Sequence, residues 1–128
     1  MEKITREYIK HYIKTNEIEL ISTHHQLSIP IIKRICQKMQ YGIKFNGIKV
    51  FENLIIDGHH RYVSSLITKI QIDSVPGQKT SATKIHHWMD VKFDENDWDT
   101  TSRIAYLNAQ DAFYNKIDIE IIKQITAL

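Results

Sequence analysis

The sequence predicts an α+β domain with a small mixed sheet, flanking helices and a helical C-terminal part. Two short apolar runs, residues 47–51 and 54–56, surround a two-residue turn and indicate a hairpin. Apolar residues recur at helical spacing in stretches that alternate with the strand-like runs. The length of 128 residues suits one hydrophobic core. We therefore expect a single domain over residues 1–128, with a core from about 17 to 93 and C-terminal helices from about 100 to 128.

The composition excludes several classes of protein. Cys36 is the only cysteine, so neither an internal disulfide nor a cysteine-based metal cluster is possible. The formal net charge of +2 permits an anionic ligand without demanding nucleic acid. Residues 1–6 are charged, unlike a signal peptide, and no apolar run is long enough to span a bilayer. We expect no membrane partner and a cytoplasmic location, in the producing cell or in a target cell that receives the protein.

The first third of the chain predicts helix, strand and helix. Residues 5–14 form an amphipathic stripe, residues 17–22 suggest a strand, and residues 23–26 a loop. Ser28 is placed to cap a second helix with Pro30 in its first turn, and the helix ends at Tyr41 and Gly42. The apolar side chains expected on its buried face are Ile31, Ile32, Ile35, Cys36 and Met39. The polar side chains expected on its solvent face are Lys33, Arg34, Gln37 and Lys38.

The remaining elements follow the hairpin in order. A helix is predicted from Gly58 to about residue 69, then a half-buried strand over 70–75. Another strand is expected around 91–93, and a helix from Thr100 or Thr101 to about residue 114. A last helix is capped by Asp118, with inward residues Ile121, Ile122, Ile125 and Leu128.

The switch from hairpin to helix, residues 54–62, contains the strongest candidates for functional side chains. Asp57 is a good candidate for an N-cap, and Gly58 allows a sharp turn and close approach of another molecule. The free amides and dipole of the helix start favour an anion, such as a phosphate or carboxylate. At about 100° per residue, His59 projects over the apolar face as a candidate core histidine. His60 at the edge and Arg61 pointing away are then the solvent-side candidates.

Two further polar groups are candidate site residues. Residues 78–83 form a small-polar loop that is either an ordinary flexible loop or a set of phosphate contacts. The candidate contacts there are Thr80, Ser81, Thr83 and Lys84. Asn108, Asp111 and Asn115 form a polar stripe on the long C-terminal helix. That stripe either hydrogen-bonds a neighbouring loop or supports a site.

The span from about residue 17 to 75 resembles the ParB/sulfiredoxin-like superfamily. The resemblance is carried by the strand–helix–hairpin order and by the signature Asp57-Gly58-His59-His60-Arg61. It implies that Gly58, His60 and Arg61 contact the phosphates of a nucleotide or nucleic-acid backbone, with Asp57 as cap or catalytic support. The downstream half is similar to ParB-like modules at the C-termini of bacterial polymorphic toxins. The residues that carry this second likeness are Ser81 to Lys84, Trp88, Asp97 to Asp99, Asn108, Asp111, Ala112 and Asn115.

Departures from the superfamily pattern exclude some of the activities that its members have. The chain lacks the arginine-rich switch and helix-turn-helix reader of partitioning proteins. It has no cysteine in the switch, which excludes sulfinic-acid repair. Free-serine kinases of the superfamily add an early acidic base, for which only Glu17 or Glu19 is available. A nucleotide-dependent small-molecule kinase therefore stays an alternative.

The leading hypothesis is a nuclease-type toxin module that acts on nucleic acid or nucleotides, with an immunity protein as a further partner. His60 would be the general acid or base and Arg61 would stabilise phosphate charge, with Asp57 and His59 as further catalytic candidates. The cofactor is left open; a divalent metal such as Mg²⁺ is the candidate. Alternatives are a non-catalytic nucleotide- or nucleic-acid-binding domain and two metal sites.

The two metal alternatives use different residues. A ββα-metal nuclease would hold a divalent ion with Asp57 and either Asn108 or Asn115. A zinc site would need imidazoles from different loops to converge, because adjacent side chains diverge. The imidazole pairs available for it are His24-His25, His59-His60 and His86-His87.

Overall fold

The computed structural model describes residues 3–127 and contains five helices and five short strands within that range. The helices are α1 (Arg6–Thr15), α2 (Ile29–Gln40), α3 (His59–Thr68), α4 (Thr101–Asn115) and α5 (Ile119–Thr126). The strands are β1 (Gln26–Ser28), β2 (Ile48–Phe51), β3 (Leu54–Asp57), β4 (Ser74–Pro76) and β5 (Lys92–Asp94). Trp88–Asp90 adds one 3-10 turn.

The strands form a mixed arrangement. A three-stranded sheet has the order β3-β2-β4, with β2 antiparallel to β3 and parallel to β4. The separate pair β1-β5 is parallel. The predicted α+β class with a small mixed sheet and a helical C-terminal part is confirmed. No helix within residues 3–127 has both the length and the apolar character needed to cross a bilayer.

Two predicted strands differ from the observed ones. The strand expected over residues 17–22 is reduced to single bridges from Ile21 to Leu54 and from Ser22 to His86. The Ser22 hydroxyl bonds both the N–H and the carbonyl of His24, so the chain turns there and cannot continue a ladder. The strand expected over residues 70–75 begins only at Ser74 and includes Pro76, the residue expected to close it.

Two apolar clusters hold the fold together. The larger one joins α1, α2, α3 and the sheets, and includes Ile9, Ile32, Ile55 and Phe93. The smaller one lies where α4 and α5 meet the segment after α2, and consists of Ile43, Ala112, Ile122 and Ile125 with half-buried neighbours. The predicted inward face of the last helix is thus confirmed at Ile122 and Ile125, whereas Leu128 lies outside the described residues.

Candidate functional site

Gly58 is the residue on which α3 begins. It adopts φ 95°, a left-handed conformation that glycine adopts without strain, and no side chain caps the helix. The prediction that Asp57 is the N-cap is wrong. Asp57 is the last residue of β3, paired with Lys49 of β2, so it is held in the extended strand. Its carboxylate is 67% exposed and lies 3.9 Å from the Arg61 guanidinium.

The missing side chain of Gly58 also makes room for Arg61. A Cβ atom at Gly58 would lie 2.7 Å from Nη2 and 3.1 Å from Nε of Arg61. The guanidinium therefore folds back over the start of its own helix instead of pointing away from it. Its Nε is buried and has no hydrogen-bond partner among the described residues. This leaves a desolvated cationic donor directly beside an uncapped helix start.

His59 is a buried structural histidine, 1% exposed. Its Nε2 accepts a hydrogen bond from the Thr23 N–H at 3.0 Å, and its ring stacks on His24 at 3.8 Å between centroids. Burial, followed by the neighbouring imidazoles of His24 and His60, lowers the pKa of His59 to about 3. The ring is consequently neutral near pH 7 and holds the loop before β1.

His60, the next residue along the chain, has a similar structural role. Its Nε2 accepts from the Ser28 N–H at 2.9 Å, and its ring meets Trp98 edge-on. Burial, followed by His24, lowers the pKa of His60 to about 4. Ser28 occupies the N-cap position of α2 as predicted, but its hydroxyl donates to the carbonyl of Asn96 and makes no capping hydrogen bond. Together the two imidazoles fix residues 23–28 against α3.

A cavity of about 390 Å³ opens between α2, the start of α3 and α4. It is lined by all five residues of the predicted signature, from Asp57 to Arg61. Of the described lysine and arginine side chains, five line it: Arg34, Lys38, Lys44, Arg61 and Arg103. Three carboxylates line it as well: Asp57, Asp99 and Asp111. Ile31 and Ile35 of α2 are only half-buried and line the cavity, so they are not core residues as predicted.

Two of the five cations are already neutralised. Lys38 is buried and its ammonium lies 2.6 Å from the Asp111 carboxylate, so its predicted place on a solvent face is wrong. Two guanidinium nitrogens of Arg34 donate hydrogen bonds to the carboxylate of Asp97, and one of them also donates to the carboxylate of Asp99. The hydrogen bonds with Asp97 raise the pKa of Arg34 and lower the pKa of that carboxyl. The ion pairs of Lys38 and Arg34 connect α2 to the C-terminal half of the chain.

The remaining cations are available to a ligand. Neither Lys44 nor Arg103 forms an ion pair within residues 3–127, and both are exposed. The Arg103 guanidinium lies over the ring of Tyr106, 5.2 Å from its centroid. Among the residues that the structure describes, the only carboxylate paired with Arg61 is that of Asp57, which is solvent-exposed and lies at the limit of ion-pair distance. The cations of the cavity that are unpaired or only weakly paired therefore lie at the start of α3, on α4 and on the segment after α2.

The predicted loop contacts do not reach this cavity. None of Thr80, Ser81, Thr83 and Lys84 lines it, and all but the half-buried Thr83 are exposed. The hydroxyls of Thr80 and Thr83 instead organise their own turn, in which the Thr80 N–H donates to Thr83 Oγ1 at 3.0 Å. The arrangement agrees with the alternative of an ordinary surface loop.

The predicted polar stripe on α4 is divided in its role. Asp111 lines the cavity and pairs with Lys38. Asn108 is buried. Asn115 does not line the cavity; its amide oxygen accepts a hydrogen bond from the backbone N–H of Lys44 at 2.7 Å, and its amide nitrogen donates to the backbone carbonyl of Lys44 at 3.2 Å. Asn115 thus positions the segment that carries Lys44. The sequence reasoning missed Lys44 and Arg103; the one available signal was the four-residue spacing of Arg103, Leu107 and Asp111.

Neither metal alternative finds its ligands together. Within residues 3–127, no three histidine, cysteine or acidic side chains come close enough to hold an ion. His24 stacks on His59, while the rings of His25 and His86 lie 6.0 Å apart. Neither Asn108 nor Asn115 lines the cavity with Asp57, as the ββα-metal alternative requires.

Comparisons with known proteins add no family to this description. A scan against protein-family models, a search of curated proteins and a search of solved structures each found no match to this chain. The fold and cavity define a small α+β domain with a basic, polar pocket at a strand-to-helix switch. The ParB-like resemblance remains a prediction, and the function has to be argued from the residues of the pocket.

Proposed function

We propose that this domain binds a phosphate group of a nucleotide or a nucleic acid at the start of α3. The observation that carries the proposal is the Arg61 guanidinium, folded over Gly58 with a buried and unpartnered Nε beside an uncapped helix start. A buried donor without an acceptor costs free energy, and the cost is relieved when an anion supplies the acceptor. The helix amides and dipole favour the same anion.

The size and charge of the cavity agree with a ligand larger than a single phosphate. Its volume of about 390 Å³ falls in the range of small-molecule sites, roughly 300–1,000 Å³. Lys44 and Arg103 supply further positive charge in the lining of the same cavity. A ligand with two or more phosphates, or a stretch of nucleic-acid backbone, makes use of Arg61, Lys44 and Arg103 together.

A binding experiment tests this proposal. Affinity for pyrophosphate, ATP and a labelled oligonucleotide would be measured by calorimetry or fluorescence for the parent, Arg61→Gln and Lys84→Gln. Hydrogen bonds to charged groups contribute about 1.5–3 kcal/mol, so Arg61→Gln should weaken each ligand about 10- to 150-fold. Lys84→Gln removes the same charge from a loop that does not line the cavity. Equal losses in both variants, or none in Arg61→Gln, would refute the proposed site.

Phosphodiester cleavage by a toxin-type module is the second candidate function. Asp57 favours it, because its exposed carboxylate lines the cavity beside Arg61 and can accept a proton from an attacking water. The ring Nε2 atoms of His59 and His60 are engaged by backbone N–H groups, so we assign the base to Asp57 instead of the imidazoles. The toxin context and an immunity partner rest on the resemblance alone.

A turnover assay separates catalysis from binding. Single-stranded DNA, RNA and ATP would be incubated with the parent and Asp57→Asn, with and without Mg²⁺, and products resolved on gels or by chromatography. We expect Asp57→Asn to lose turnover while keeping its affinity, since the amide preserves shape but cannot take the proton. Undiminished turnover would remove Asp57 from the mechanism. Tight binding by the parent without turnover would leave a non-catalytic binding domain.

A further inference from the structure

An exposed aromatic stripe runs along α4 beside the cavity. Its members are Tyr106, Phe113 and Tyr114, with exposed fractions of 51%, 80% and 68%. Tyr106 and Phe113, seven residues apart, lie within about 20° of each other around the helix axis, and Tyr114 lies about 80° from Tyr106. Tyr114 also lines the cavity, so one end of the stripe opens into the cavity that holds the proposed phosphate site. Large exposed aromatic side chains clustered on one helix, unlike apolar residues scattered singly over a surface, indicate an interaction surface.

Neighbouring side chains hold the rings in fixed orientations. The Gln110 amide donates to the Tyr106 hydroxyl at 2.7 Å, and Arg103 covers one face of that ring. Phe113 packs edge-on against Tyr114, with centroids 5.7 Å apart. Side chains that are ordered before binding lose less conformational entropy when a ligand stacks on them. The stripe is therefore organised as a stacking surface and is not covered by the fold.

We infer that the ligand is a single-stranded nucleic acid whose unpaired bases stack on Tyr106, Phe113 and Tyr114 while its backbone phosphate occupies the site at Arg61. The inference rests on the proposed function. The combination of aromatic rings with unpaired cations is what single-strand binding uses, because every base has a stacking face and every nucleotide a phosphate. Arg103 and Lys44 provide the charge complementarity next to the stripe.

The length of the stripe distinguishes a strand from a free nucleotide. Eight residues of helix separate Tyr106 from Tyr114, about 12 Å along the axis. A mononucleotide has one base and cannot stack on both rings. At the axial rise of about 3.4 Å per nucleotide that one strand has in a duplex, about four nucleotides span this distance. A duplex keeps its bases paired and stacked on one another, so their faces are not available to the rings.

The experiment compares ligands and variants in parallel. Binding of a labelled single-stranded 12-mer, its duplex and AMP would be measured for the parent, Tyr106→Ala, Tyr114→Ala, Arg61→Gln and the control Tyr41→Ala. Tyr41 is a tyrosine of similar exposure, 64%, that does not line the cavity. Alanine is a good helix former, so both α4 variants should fold. Sedimentation of the parent and Phe113→Ala would show whether a second copy covers the stripe.

The inference predicts that the parent prefers the single strand over the duplex and over AMP. Each α4 tyrosine variant should weaken the 12-mer about 5- to 150-fold, which is the range for loss of one stacked base. Arg61→Gln should weaken both the 12-mer and AMP. Tyrosine variants that bind like Tyr41→Ala, while Arg61→Gln is impaired, would overturn the stacking site and leave the phosphate site intact. Absence of binding to every ligand would overturn both, and a dimer abolished by Phe113→Ala would assign the stripe to self-association.

Discussion

Mild acid should destabilise this domain through His59 and His60. Both imidazoles are held neutral in the folded state, with pKa values of about 3 and about 4 against an ordinary value of 6.5. The unfolded chain therefore takes up these protons first as the pH falls. The stabilisation is complete above about pH 6.5 and is lost as the pH drops toward the folded pKa values.

The magnitude follows from the difference in proton uptake. Between pH 7 and pH 5, an unfolded histidine becomes almost fully protonated while each folded one stays neutral. This difference removes about 2 kcal/mol from the free energy of unfolding per histidine, or about 4 kcal/mol for the pair. A small domain has only about 5–15 kcal/mol in total, so the loss is large. Protonation of Nε2 also removes the acceptors for the N–H groups of Thr23 and Ser28.

Urea unfolding at pH 7 and pH 5 measures the effect. The parent, His59→Gln, His60→Gln and a control, His11→Gln, would be compared by circular dichroism. Each buried-site variant should lose about 2 kcal/mol of the parent's pH dependence, and His11→Gln is the matched control for removal of a histidine at an exposed position. NMR titration of the parent imidazoles gives an independent reading. A parent that loses less than about 1 kcal/mol, or variants that retain its full pH dependence, would refute the assignment of buried neutral histidines.

Three further predictions concern single positions. Gly58→Ala should lower the free energy of unfolding by about 1–3 kcal/mol and impair anion binding, because its Cβ would lie 2.6 Å from a β2 side-chain carbon. The control Gly42→Ala has a similar φ of 94° but open space around the Cβ, so it should lower the free energy of unfolding by the backbone strain alone. Equal losses of the two variants in urea unfolding would contradict steric crowding at Gly58. Lys38→Met should cost about 3–5 kcal/mol by leaving Asp111 unpaired, and adding Asp111→Leu should recover much of that in a thermal melt; no recovery would argue against the buried pair. Burial raises the pKa of Cys36 to about 11, so a thiol reagent should modify it only through unfolding, and rapid labelling of the folded protein would refute its burial.

The local elements of the fold were predictable from the sequence. The hairpin and the helices on either side of it carry their own turn residues and apolar stripes, and they form close to the expected bounds. The pair β1-β5 could not be predicted, since Gln26–Ser28 pairs with a segment more than sixty residues away. The N-cap of α3 could not be predicted either, because a contact with another strand determines it. Aspartate is the better cap by propensity, but the ladder to Lys49 holds Asp57 in the strand.

The sequence predicted the motif at the start of α3, but it did not predict which residues from other elements line the cavity around that motif. Asp57 to Arg61 are contiguous, so their motif is visible and the structure brings all of them to one cavity. Lys38 looked like a solvent residue because its carboxylate partner lies on a helix 73 residues further along the chain. Lys44 and Arg103 are isolated cations in the sequence, and only the docking of α4 gives them a shared ligand space.

The position of the cavity between the two apolar clusters has a consequence for local stability. Arg61 belongs to an element of the larger cluster, whereas Arg103 is on α4, which is anchored by the smaller one. A ligand that contacts both arginines binds only while the two clusters stay docked, so mass action raises the free energy of their separation. Amides of α5, a helix without a residue in the cavity, should then exchange more slowly with solvent deuterium when the ligand is bound.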